Sequence, residues 1–294
     1  MKSTVYDEVQ AAHNMVANRM KEVNDTLIYT ALFGSQNYHM DNENSDVDVH
    51  CMYIQHPKRL ILNDSIHYPL IEGSLAYGGK ADVKTVHDMM MQFRKGNLNF
   101  LELLWTPYIA VTPGWEWFIH YLRSNREVFL EDHHHLCITW GGFCRQMIVR
   151  TTRNDPHSHF LAPSEKVLSG FNPELGYNPK ALANASRIRR TMERFLYDNV
   201  PFGDALVMNR EEDIVLMDVK NGLMPYDEAM WKLGRLTEWL EKFLKWDQDR
   251  YNMVSKHPIF DQAKILSEEM EMEAFARSWK LFDKNESYLK NFKK

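Results

Sequence analysis

Residues Thr26 to Phe33 (TLIYTALF) carry no charge, are rich in apolar and β-branched side chains, and end at Gly34-Ser35. A run this short, bounded by Asp25 and a glycine, predicts a strand buried on both faces. A polar loop from His39 to Ser45 follows, then a second predicted strand from Asp46 to Ile54 that begins Asp46-Val47-Asp48. Residues two apart on an extended strand share a face, with Cα atoms roughly 6.5 Å apart. Asp46 and Asp48 therefore present two carboxylates side by side, close in sequence to a tight Gly-Ser bend. These two strands commit the first part of the chain to a sheet.

Two neighbouring carboxylates are costly to bury unless a cation offsets them. Magnesium takes oxygen ligands and is held by one or two carboxylates together with substrate phosphates. Gly34-Ser35 follows a strand and is expected to open a helix. Backbone N–H groups there, with the Ser35 hydroxyl, suit the terminal phosphates of a nucleotide. An in-line displacement assisted by two metal ions needs a third carboxylate on a neighbouring strand. Asp82, next to the Gly78-Gly79 turn and just before Val83, is the best candidate. Asp64 and Glu72 are weaker ones, because both lie in segments that read as turn.

The remaining pattern is mostly helical. Val5 to Val23 has apolar residues at helical spacing, and Val86 to Lys95 reads as a helix stopped by Gly96-Asn97. Weak strand segments lie between Leu60 and Val83, and a short helix spans Phe100 to Trp105. Beyond Gly114, helices are predicted over Trp115–Arg126, His135–Thr152, Pro179–Asn199, Tyr226–Asp247 and Phe260–Phe292. Asn154–Tyr177 is the longest irregular stretch. The expected fold is α+β: a mixed sheet with flanking helices over 1–110, then an all-helical domain over 111–294.

Composition narrows the functional classes. The net charge of −5 argues against a general nucleic-acid coat while leaving room for a local basic site. Cys51, Cys137 and Cys144 cannot all pair and form no CxxC, which fits a reducing, cytoplasmic setting better than a disulfide scaffold. No stretch is long and apolar enough for a membrane span, and the start of the chain does not read as a signal peptide.

Several clusters admit a plain structural reading. Arg145, Arg150 and Arg153 suit ion pairing better than nucleic-acid phosphates, and Gln146 carries little weight as a binding residue. His133-His134-His135 reads as a surface junction ahead of a helix. Trp231, Trp239 and Trp246 recur at spacings of eight and seven and read as a core stripe rather than a base-stacking platform. Glu102 is either a carboxylate that orients a neighbouring Lys or Arg, or an exposed one. Lys180 and Arg187, seven apart, share a helix face, with Arg189 and Arg190 turned elsewhere.

Gly34-Ser35 followed by Asp46-x-Asp48 resembles the signature of the DNA polymerase β-like nucleotidyltransferase superfamily. Gly34-Ser35-Gln36-Asn37-Tyr38 with Ser45-Asp46-Val47-Asp48 is similar to the G-S-x-x-Y…S-D-x-D pattern of its "predicted nucleotidyltransferase" family, which includes a group associated with RNA repair. Asp82 matches that family's later aspartate. Lys95-Gly96-Asn97-Leu98-Asn99-Phe100-Leu101-Glu102-Leu103-Leu104 matches a K-G-N-P-x-x-x-E-L-L-like segment. Tyr177-Asn178-Pro179-Lys180 with Arg187 matches a Y-x-x-K…R element. His39 stands where the family has a glycine, and Leu98 where it has a proline.

The resemblance implies a polymerase β-like palm and Mg²⁺, with Mn²⁺ as a substitute. Asp46, Asp48 and Asp82 would be catalytic metal ligands, Gly34 and Ser35 the phosphate-binding turn, and Lys180 and Arg187 nucleotide-binding groups from the helical domain. It implies an NTP substrate and an RNA end as the first acceptor to test. Two alternatives stand beside it. One is a catalytically silent nucleotide-binding regulator or toxin–antitoxin partner. The other is a metal-dependent phosphohydrolase using His50 and His87.

Overall fold

The computed structural model describes residues 4–41, 45–62, 71–72, 79–152, 171–208, 210–253 and 261–286. The chain is α+β and forms two compact units. The first comprises residues 1–37, 41–131 and 260–294; the second comprises 38–40 and 132–259. These units divide the chain differently from a boundary near residue 110. Residues 111–131 and the C-terminal helix belong with the sheet.

The first unit is built on a mixed five-stranded sheet in the order β3-β4-β2-β1-β5. Its strands are β1 (Thr26–Phe33), β2 (Asp48–Ile54), β3 (Ile71–Glu72), β4 (Lys80–Thr85) and β5 (Ile109–Val111). β1 runs antiparallel to β2 and β5, and β2 runs parallel to β4. β1 is buried along nearly its whole length, which its uninterrupted apolar sequence requires. β2 begins at Asp48, two residues later than its sequence suggests.

One sheet face is covered by α1 (Val5–Lys21), held at its start by a capping box between Thr4 and Asp7. Val9, Ala12, Val16 and Met20 line the inner side of α1 and pack on Leu32, Val49, Cys51, Ala81 and Val83. After α1 the buried Asp25 accepts the His56 amide (2.9 Å) and pairs with Arg59 (2.6 Å), fixing the short α2 (Pro57–Ile61) to the sheet. α3 (Val86–Arg94) leaves β4 with Thr85 as its N-cap, and α4 (Leu98–Leu101) and α5 (Glu116–Ser124) follow. The C-terminal α11 (Gln262–Glu286) returns to this unit. His87 pairs with Glu271 (2.9 Å), and Arg277 donates to the Gly114 carbonyl.

The second unit holds α6 (His133–Thr152), α7 (Pro179–Met192), α8 (Phe202–Leu206), α9 (Arg210–Lys220) and α10 (Tyr226–Met253). Trp140, fully buried, packs on Phe195 (5.8 Å) and Phe202 (5.6 Å). Tyr38–Met40 joins this unit. Arg187 of α7 stacks on the Tyr38 ring at 3.9 Å, and Lys220 donates to the Met40 carbonyl. Among the described residues no helix is long and apolar enough to cross a membrane.

Candidate active site

Strand register brings two of the predicted aspartates together. In the parallel β2–β4 pair His50 lies opposite Asp82. Val49, Cys51, Ala81 and Val83 all enter the core beneath α1. Alternation therefore turns Asp48, His50, Asp82 and Lys84 to the opposite face. Asp48 and Asp82 are one strand apart and two residues out of step, a separation of roughly 8 Å between backbones. Asp46 precedes the strand and is exposed. The burial of Val47 with Val49 directs Asp46 to the same side as Asp48, and the Asp46 carbonyl accepts from Gln36 Nε2 at 2.8 Å.

The two strand aspartates are held differently. Asp48 Oδ1 accepts the Lys80 amide at 3.0 Å, which ties the start of β2 to the start of β4. Asp82 has His50 Nδ1 at 3.0 Å and Lys84 Nζ at 3.2 Å. The His50 contact has the distance of an ion pair, although the ring N–H is not aimed closely enough for a hydrogen bond. Burial pushes the Asp82 carboxyl up, but His50 and Lys84 outweigh it and hold the group below the ordinary carboxylate range. His50 is itself buried, clamped between Phe33 (4.7 Å) and Phe100 (4.5 Å).

The Gly34-Ser35 bend differs from the expected helix start. Gly34 has φ +101°, a conformation that side-chain-bearing residues rarely adopt, and Ser35–Tyr38 forms only a single 3₁₀ turn. The Gly34 amide donates to Glu102 Oε1 at 3.2 Å, so that N–H already has a partner inside the protein. Glu102 is buried, not an exposed carboxylate, and it acts as a buttress to the bend. Asn37 completes the support: its Nδ2 donates to the Leu32 carbonyl (2.9 Å), and its Oδ1 accepts from the Thr106 hydroxyl (2.7 Å). The segment Lys95–Trp105 thus leads into the residues that brace the bend. Leu98 occupies the first helical position of α4, a place that suits proline. His39 adopts φ +61°, a place that suits glycine.

Among the described residues no three His, Cys, Asp or Glu side chains form a ready-made metal cage. Two carboxylates on adjacent strands nevertheless suit Mg²⁺, which completes its shell with water and substrate phosphate oxygens. Asp48 and Asp82 share this face of the sheet, and Asp46 is exposed just ahead of β2.

Lys180 and Arg187 belong to the helical unit. Lys180 is exposed at the start of α7, whereas Arg187 is buried, with Nε and Nη1 lacking hydrogen-bond partners among the described residues. Arg145, Arg150 and Gln146 are exposed, while Asp64 and Arg153 lie outside the described residues. His87 pairs with Glu271 and does not join the aspartates. The three histidines fall within α6: His134 pairs with Asp247 (2.5 Å) and stacks on Tyr251 (3.8 Å), and His133 packs on Phe195. Trp239 and Trp246 pack on Phe243 as a stripe, but Trp231 is 68% exposed.

The contact of His50 with Asp82 and that of Glu102 with the Gly34 amide are set by tertiary pairing, which motif spacing does not encode. Compared with models of known protein families the chain matches none, and compared with curated proteins it matches none.

Proposed function

We propose that this chain is a metal-dependent nucleotidyltransferase that moves a nucleoside monophosphate from an NTP to an acceptor hydroxyl and releases pyrophosphate. The observation that carries the reading is the β2–β4 register, with Asp48 and Asp82 on one face of neighbouring parallel strands. The motif resemblance supports it. So do two of its departures: His39 and Leu98 occupy backbone positions that favour the glycine and proline they replace. The sheet unit is then read as a polymerase β-like palm.

When bound, Mg²⁺ polarises phosphoryl oxygens and lowers the pKa of a coordinated hydroxyl. The chain supplies the rest. Asp48, Asp82 and Asp46 present carboxylate oxygens, and Lys84 and His50 keep Asp82 ionised. The Ser35 hydroxyl donates to a terminal phosphate, and Glu102 keeps the bend in place. The roles of Lys180 and Arg187 in nucleotide binding rest on the resemblance.

The test is to incubate purified protein with each α-labelled NTP, total RNA and a protein lysate, with and without Mg²⁺. Mg²⁺-dependent label on RNA is the expected outcome. Asp48→Asn should abolish it while leaving the circular dichroism spectrum unchanged, and full activity in that variant would remove Asp48 from the mechanism. Consumption of ATP to inorganic phosphate alone would make the protein a phosphohydrolase instead.

A further inference from the structure

Within the helical unit, α7, α9 and α10 line an open cleft of about 550 Å³. Its floor is apolar, formed by the buried Leu216 and Leu236. Its walls carry Arg189, Lys232 and Arg235, with Trp231 on the rim. Helical spacing explains the grouping: Trp231, Lys232, Arg235 and Leu236 lie within six residues on one side of α10. A cleft of this volume is the size that small organic ligands occupy.

Three cations line the cleft, and Arg235 already pairs with Glu238 (3.3 Å). Arg189 is held in place, with its guanidinium 3.0 Å from Glu193 and 5.4 Å from the Trp239 ring. Lys232 is half-buried beside it. Burial and the neighbouring Arg189 hold the Lys232 ammonium below its ordinary range, against the pull of Glu228 one turn earlier. A phosphate between Lys232 and Arg189 would relieve that repulsion and take charge-assisted hydrogen bonds from both. Trp231, though part of a tryptophan stripe, leaves 68% of its surface exposed next to these cations. An indole face beside cations is the arrangement that stacks a nucleobase while its phosphate is gripped. The chain as a whole is acidic, at −5, so the concentration of cations here is local.

We propose that this cleft is a nucleoside-phosphate site, with the base on Trp231 and the phosphate between Lys232 and Arg189. All of its residues belong to the helical unit, and it takes either a free nucleotide or one nucleotide of a single strand.

Binding is measured by fluorescence anisotropy with a fluorescein-labelled single-stranded RNA octamer, and by calorimetry with AMP. Full-length Asp48→Asn protein in EDTA keeps the aspartate site out of the signal. Lys232→Ala/Arg235→Ala should weaken binding at least about tenfold and flatten its salt dependence. Trp231→Ala, a change at an exposed position, should weaken it about five- to a hundredfold. Lys242→Ala, on an exposed part of the same helix, should change it less than about twofold. A steep salt slope with the octamer binding far tighter than AMP identifies a strand; equal binding with a shallow slope identifies a free nucleotide. The proposal is overturned if neither probe binds at millimolar concentration. It is equally overturned if the variants bind like the parent, or if pyrophosphate or poly-glutamate competes as well as AMP.

Discussion

His13 lies on the inner side of α1 with 4% of its surface exposed. Its Nδ1 is 3.1 Å from the Thr30 hydroxyl and its Nε2 is 3.2 Å from the Thr112 hydroxyl. The neutral ring suits both contacts, donating through one nitrogen and accepting through the other. Burial lowers the imidazole pKa to about 4 from its ordinary 6.5. Because the folded value lies below the unfolded one, the unfolded chain takes up a proton first as pH falls. The stability due to neutral His13 is complete above pH 6.5 and is lost progressively down to about pH 4. Integrating the two titrations gives a loss of about 2 kcal/mol at pH 5 and about 3 kcal/mol at pH 4. The assay is urea unfolding at pH 7, 6 and 5, followed by hydrogen exchange in α1, for the parent and for His13→Gln. Glutamine keeps a donor and an acceptor but does not titrate. His133, also shifted down by burial and then by Arg250, titrates in both proteins and cancels in the comparison. The parent should lose about 2 kcal/mol more than the variant between pH 7 and 5. Equal slopes, or a His13 imidazole resonance titrating above pH 6, would refute the reasoning.

Two further predictions concern packing. Glu102→Ala removes the acceptor of the Gly34 amide and should destabilise the sheet unit by about 2–4 kcal/mol, read by urea titration. It should also raise KM for the NTP more than it lowers kcat, and a stability loss under about 0.5 kcal/mol would dismiss the buttress. Trp140→Ala empties the centre of the helical unit and should cost about 3–5 kcal/mol, with the loss of protection confined to α6, α7 and α8 in hydrogen exchange.

The strands most legible in the sequence are those with the simplest local physics. β1 is one apolar run ending at a glycine, and β2 alternates from its first carboxylate, so both follow from period and turn residues. β5 escaped because three residues between prolines at 107 and 113 are too few to show a period. The placement of α11 escaped for another reason. Its amphipathic pattern says that one side is covered but not by what, and its partners, such as His87 for Glu271, are far away in sequence, 184 residues in that case. Trp231 fits a helical stripe by spacing, yet period fixes only a direction on the helix. Whether another helix covers that direction is decided by packing, and among the described residues none covers Trp231 fully.

At the candidate site the same division holds, with one instructive exception. The aspartates are legible because carboxylates two apart on a strand, followed by one on a later strand, form a local pattern that needs no tertiary knowledge. His50 had no such signal. Its contact with Asp82 depends on the β2–β4 register, and a slip of one residue would have placed it on the α1 side instead. Glu102 was different, because it is the single charge in the run from Leu98 to Trp105. A carboxylate carried into the core by its apolar neighbours must find donors, and the donors most in need of an acceptor are amides at irregular backbone. Gly34, at a bend closed by only a 3₁₀ turn, supplies one. An isolated acidic residue inside an apolar segment is therefore better read as an acceptor for a distant strained turn than as a solvent-facing charge, and Glu102→Ala tests that rule directly.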